Sequence, residues 1–301
     1  MPKQPSGVLV PAYEYPEPPR WNVLTDVART MMLGGLLVVA NDNSGHFKKA
    51  DEKYTKAIEA LQGACSPVLG YVHDCYDNTG TGALCPRTTD IMDDVDRWFT
   101  IYGVDGIFID QLLRERVEHA ERLVQDVLNR RRDAIVVLNP GNIPEEDFMA
   151  RTHPAIVVIQ EDRFADYEGW PPAGWVTNRA TEATTSIDAN RLAIIAHTLP
   201  DPPNTEHVDQ FIAKAAQYKI GWIYAQQTTT SGSEYEPLSI HLQLLAERLG
   251  RCSRLGCTTP FTRFFCQMAN FLVCYILRAN RRLRDRLGGT RRRSRGSSTG
   301  S

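Results

Sequence analysis

Gly106-Ile107-Phe108-Ile109-Asp110 is a short run, apolar on both alternating faces, that stops abruptly at an acid. A strand apolar on both faces is covered on both faces, as a parallel strand is when crossover helices pack over it. Behind it, Val117–Arg131 sets Leu123 and Val127 on one stripe and predicts that helix. Outward in both directions the same unit recurs. Strands are expected at Gly7–Ala12, Leu36–Asn41, Val68–His73, Ala134–Asn139, Ala155–Gln160, Leu192–His197 and Gly221–Gln226. Helices are expected at Asn22–Met32, Asp51–Gln62, Thr89–Tyr102 (capped by Thr88 or Thr89), Glu145–Ala150, Thr205–Tyr218 and Pro237–Leu249. Eight βα units in about 250 residues have the rhythm of a (β/α)₈ TIM barrel. An open doubly wound sheet would use fewer strands and often a Gly-rich phosphate turn, and no GxGxxG follows the first strand.

The 301 residues are 42% apolar and 23% charged, which is the composition of a globular chain and excludes disorder as the default. Past Gly250 the βα rhythm ends, so the barrel is assigned to residues 1–250 and a basic Cys/Arg-rich tail without predicted fold to 251–301. The tail holds twelve Arg and the single acid Asp285, leaving the first 250 residues near −13. A body so acidic repels a phosphate backbone, so no nucleic-acid partner is expected for the barrel, whereas the tail suits an anionic surface. Cys65, Cys75 and Cys85 lack zinc-site spacing and are read as free thiols. With no signal-like N-terminal segment and no Asn-x-Ser/Thr acceptor, the chain as written is expected to be cytoplasmic, or secreted or wall-bound if its N-terminus is truncated.

Active sites of such barrels form at the C-terminal ends of the strands, so polar residues that end an apolar strand are the candidates. They are Tyr13, Asn41, His73 with Tyr76, Asp110 with Gln111, Asn139, Glu161, His197 and Tyr224. Two acids, amides and rings without a basic cluster or metal spacing suit a neutral, hydroxyl-rich ligand. No metal or cofactor is called for. Glycoside cleavage needs one carboxylic acid and one carboxylate on opposite sides of the scissile bond, and Asp110 and Glu161 are the natural pair. Glu161 is assigned the acid/base role and Asp110 that of nucleophile or stabiliser, with the rule that the more buried carboxyl becomes the acid. Trp170 and Trp175, in the long irregular stretch Asp162–Arg191, are expected to stack on sugar faces. The acids of Asp90–Asp96 read as a solvated helix face, and Asp105 as a stabilising residue at the barrel foot.

Gly7-Val-Leu-Val-Pro-Ala-Tyr-Glu-Tyr-Pro16, Asn41-Asp-Asn-Ser-Gly45, Gly70-Tyr-Val-His73 and Gly106-Ile-Phe-Ile-Asp110, echoed by Asn139-Pro-Gly141 and His197, resemble the spherulin-4-like family in order across residues 7–250. The resemblance implies a TIM barrel and, for the enzymes of the family, endo-hydrolysis of α-1,4-linked galactosamine and N-acetylgalactosamine in fungal cell-wall galactosaminogalactan. It carries the family's strand-four Asp onto Asp110 and its later essential Glu onto Glu161. The acid that follows the first Asp in the family is Gln111 here, and the family's Ser-Gly-Pro-Gly turn is Ser44-Gly45-His46-Phe47. Those departures motivate a rival expectation from another class: a non-catalytic carbohydrate-binding or spore/developmental structural barrel.

Overall fold

The computed structural model describes residues 5–31, 35–75, 90–167, 170, 174–181, 187–200, 204–227 and 237–250. Tyr76, Cys85, Thr88, Thr89 and the tail from 251 lie outside the described residues. Eight parallel strands close into one barrel in sequence order: β1 (Gly7–Ala12), β2 (Leu36–Ala40), β3 (Val68–His73), β4 (Gly106–Asp110), β5 (Ile135–Leu138), β6 (Ile156–Arg163), β7 (Leu192–Leu199) and β8 (Trp222–Gln227). Around them run α1 (Arg20–Thr30), α2 (Glu52–Gly63), α3 (Ile91–Arg97), α4 (Val117–Arg130), α5 (Glu146–Arg151), α6 (Gly174–Thr181), α7 (Thr205–Gln217) and α8 (Leu242–Leu249). The TIM barrel expected from the sequence is the fold.

The helices form where stripe and cap agree. In α4, Ala120, Leu123, Val124 and Val127 are the buried stripe. Asp51 caps α2 by accepting from the Lys53 and Tyr54 amides, and Asn204 caps α7 by accepting from Glu206. The cap of α3 is Asp90, which accepts from Met92, so the Thr88/Thr89 assignment is corrected: a carboxylate two residues before Met92 is the better acceptor. The predicted helix to Tyr102 divides there into α3 and a π turn, Trp98–Tyr102, ended by Gly103 in the left-handed region.

Trp98 lies so close on β3 that a Cβ added to Gly70 would come within 2.3 Å of its ring, and its indole Nε1 donates to the Tyr71 carbonyl at 2.9 Å. Gly70→Ala is expected to lower stability by about 3 kcal/mol, since overpacking a filled core forces backbone and rotamer shifts. An unchanged urea midpoint would show that Trp98 does not seat on β3.

β6 and β7 run past their predicted ends to Arg163 and Leu199. β6 contains a bulge: Val158 pairs with Ala193, Gln160 with Ile194 and Glu161 with Ile195, leaving Ile159 extra. Ala193 and Ile195 share a face, so Val158 and Glu161, three residues apart, share it too. Without the bulge, alternation would give that inward place to Gln160. The stretch after β6 is not simply irregular. It holds a 3₁₀ turn at Phe164–Tyr167 and the helix α6.

Candidate active site

At the C-terminal ends of the strands, Tyr71, Asp110, Asn139 and Glu161 form one hydrogen-bonded set. Asn139 Nδ2 donates to Asp110 Oδ1 at 2.8 Å and to Glu161 Oε2 at 2.6 Å. The Tyr71 hydroxyl donates to Asp110 Oδ2 at 2.8 Å. Each partner reaches the mouth by its strand's alternation: Tyr71 two residues below His73 on β3, Asp110 in register with His73 on β4, Glu161 by the bulge of β6. The two acids singled out from the sequence are thus brought together, with Asn139 between them. Tyr71 was missed, although the period of two from His73 marks it as inward.

Asp110 is held at both levels of its structure. Its backbone carbonyl accepts from the Asp74 amide at 2.8 Å, and the Asp74 carboxylate in turn takes His119 Nε2 of α4 at 2.9 and 3.0 Å. The Gln111 amide, on a residue with φ +58°, donates to the Asp110 carboxylate. Gln111 therefore reaches the set through its backbone. Burial, and then the charge of Glu161, push Asp110 up to about 6, against hydrogen bonds from Tyr71, Gln111 and Asn139 that pull it down.

A carboxyl raised from 3.8 to about 6 binds its proton more tightly folded than unfolded. Its stabilising contribution is present below pH 3.8 and is lost as pH rises through 6, a swing of about 3 kcal/mol. Asp110→Asn, which cannot ionise, is therefore expected to gain stability relative to the parent between pH 4 and pH 7 in urea titrations. An identical difference at both pH values would contradict the raised carboxyl.

The remaining candidates separate. His73 ends β3 with its Nδ1 2.8 Å from Cys75 Sγ, and Tyr13 packs edge-on to Tyr71 with centroids 5.0 Å apart, so both adjoin the set. His197 is partly exposed on β7, in register with Arg163. Asn41 is committed to its loop: its Oδ1 accepts from the Ser44 amide at 2.8 Å. Tyr224 is corrected. It is 0% exposed, its hydroxyl donates to Gln226 Oε1 at 2.8 Å and accepts from the Ser239 amide, and burial pushes that hydroxyl well up. It is a saturated interior residue, closed to a sugar. Trp170 is corrected as well: its ring meets Tyr167 and Tyr218 edge-on at 5.2 and 5.3 Å, placing it in the helix layer beside α7. Trp175 donates its Nε1 to the Pro144 carbonyl.

Two further readings change. Asp94 is not on a solvated face but 0% exposed, holding Arg97 and, at 3.3 Å, Nε2 of His46 from the β2 loop. His46 meets His73 edge-on at 5.9 Å, at the margin of the set. Cys65 and Cys75 are disulfide-bonded, not free thiols. Asp105 does serve the barrel foot, accepting from the Val68 amide and Gln62. Among the described residues, no three His, Cys, Asp or Glu side chains converge as metal ligands would.

No curated protein sequence matches the chain. Among solved structures, Aspergillus clavatus Sph3 in complex with GalNAc superposes with a TM-score of 0.64 at 21% identity, over 82% of this chain and 98% of that one. The Bacillus cereus spore cortex-lytic enzyme SleL gives 0.50 at 10% identity, over 83% of this chain and 75% of its own. These likenesses are of fold. The sequence model of spherulation-specific family 4 matches residues 7–248, from the first residue of β1 nearly to the end of α8, and by that match the chain belongs to the Spherulin4 family.

Proposed function

We propose that this chain is a glycoside hydrolase that cleaves within a hexosamine-containing polysaccharide, of the α-1,4-linked N-acetylgalactosamine type. The observation that carries the reading is the Asn139 bridge. One amide nitrogen bonded to both carboxylates keeps their bound oxygens within about 5.4 Å, the two bonds laid end to end. That spacing supports a retaining double displacement over an inverting one, which leaves room for water between the acids. The GalNAc complex of Sph3 supports the sugar class.

The roles follow from the rule that the carboxyl with the raised pKa is the acid. Asp110, up at about 6, protonates the leaving glycosidic oxygen, and Glu161 as carboxylate attacks the anomeric carbon. This reverses the order expected from side-chain length alone. Water, deprotonated by Asp110 in its second role, then releases the glycosyl group from Glu161.

Gln111 supports the rival reading, a barrel that binds the polymer without cutting it, because a neutral amide stands where the family has its second acid. Reducing-end release from galactosaminogalactan by the full chain, beside Glu161→Gln, separates the two. Release abolished in the variant supports the hydrolase; binding without release by the parent supports the rival. The disulfide-bonded Cys65 and Cys75 favour an oxidising compartment over the cytoplasm.

A further inference from the structure

Beyond the end of β1, Tyr13 is half-buried against Tyr71, Glu14 is buried in its pairing with Arg20, and Tyr15 stands 42% exposed. It is the most exposed Phe, Tyr or Trp among the described residues. Exposed side chains ordinarily hop between rotamers, but this one is held. Its hydroxyl donates at 2.9 Å to Oδ2 of Asp51, the cap of α2, whose Oδ1 is taken by the Lys53 and Tyr54 amides. Tyr54 meets the ring in a T-shaped contact at 5.7 Å, and is itself fixed by donating its hydroxyl to the Asn41 carbonyl. The Lys53 ammonium lies over the ring, 5.1 Å from its centroid, where Glu17 also binds it at 2.7 Å. Asp51, Lys53 and Tyr54, at the start of α2, thus hold a side chain of the β1–α1 loop in one orientation.

Helices that follow barrel strands start at the mouth, so this cluster shares the end of the barrel that holds Asp110 and Glu161. The acids stand on β4 and β6, and β1 is separated from the one by β2 and β3 and from the other by β8 and β7. Tyr13 lies against Tyr71, which donates to Asp110, and Tyr15 is further out along the same loop. A ring placed there meets a sugar beyond the one being cleaved. We propose that Tyr15 is the platform of a remote sugar subsite, on which a unit of the polysaccharide separated from the scissile bond stacks its apolar face. This rests on the carbohydrate reading of the mouth. In a galactose-configured ring the axial 4-oxygen leaves three C–H groups together on one face, and their slight positive charge suits the negative face of a phenol ring. Because Tyr15 is already ordered, stacking on it immobilises little of the protein.

Affinity for the polymer tests the platform apart from turnover. Retardation of the full chain in gels cast with galactosaminogalactan compares the parent with Tyr15→Ala, Tyr15→Leu and Tyr15→Phe. We expect about tenfold weaker binding in Tyr15→Ala and in Tyr15→Leu, which supplies bulk without a π face. Tyr15→Phe, which keeps the face and gives up the Asp51 bond, should bind nearly as the parent does. In turnover, KM of Tyr15→Ala for the polymer should rise about tenfold with kcat nearly unchanged. Its kcat/KM for an α-1,4-linked N-acetylgalactosamine disaccharide, which occupies only the two sites flanking the scissile bond, should match the parent's. Parent-like affinity in Tyr15→Ala overturns the proposal, as does affinity restored by Leu or a loss in Phe as large as in Ala. If Tyr15→Ala fails to fold, the Leu and Phe variants decide by the same comparison. A parent that the polymer does not retard overturns the platform together with the carbohydrate reading. A parent bound through Tyr15 that releases no reducing ends keeps the platform and removes the hydrolase reading instead.

Discussion

Glu161→Gln is expected to lower turnover of the polysaccharide by at least about 10³-fold, equivalent to about 4 kcal/mol of transition-state stabilisation. The substitution keeps shape and leaves an oxygen to accept from Asn139, so the barrel and its affinity for the polymer should persist. What disappears is the charge and nucleophilicity of the carboxylate, which act only as the glycosidic bond breaks. Glu161→Ala leaves room for an external nucleophile, and azide should restore part of its turnover with a glycosyl azide as product. Full activity in Glu161→Gln would exclude Glu161 from the chemistry. A glycosyl azide of inverted configuration is expected, and one of retained configuration would return Glu161 to the role of acid and Asp110 to that of nucleophile.

Asn139→Ala is expected to cost about 10²-fold in kcat/KM, the scale for removing one preorganised donor from a site where charge develops. It should also move the pH profile in a definite direction. The Asn139 bond to Asp110 favours the ionised carboxyl and so lowers its pKa; removing it raises that pKa further above 6. Since Asp110 must be protonated to act as acid, the alkaline limb of kcat/KM shifts upward in the variant even as its height falls. A limb that stays in place or shifts downward would mean that the amide does not hold the two acids together.

The barrel was legible because buried parallel strands read as Val- and Ile-rich runs, and Asp110 because such a run ends at it. Where polar residues continue a strand the reading stops short. Glu161-Asp162-Arg163 and Thr198 belong to β6 and β7, yet nothing in their composition says so. Asp94 was misread for a different reason. Its helix face looks solvated until the loop bearing Gly45 and His46 folds against it, a long-range contact with no local signal. Tyr224 lies within an apolar strand whose polar residues were read as facing the mouth, and only the packing of Ser239 and Gln226 closes it off. Trp170 was judged by residue type alone, and its neighbours Tyr167 and Tyr218 take it for the helix layer.

The extra residue in β6 makes the identity of the mouth a matter of parity. Odd and even positions of that strand are exchanged after Ile159, so losing any one residue between Val158 and Glu161 would return the strand to strict alternation. In a deletion of Ile159 alone, Gln160 would become the first and Glu161 the second residue after Val158, so strict alternation would still turn Glu161 to the mouth and Gln160 toward the helices. Among relatives of this chain, an acid would therefore stand opposite Asp110 either two residues after the position of Val158 in a regular strand or three residues after it in a bulged one, so strand length and the acid's position have to be read together.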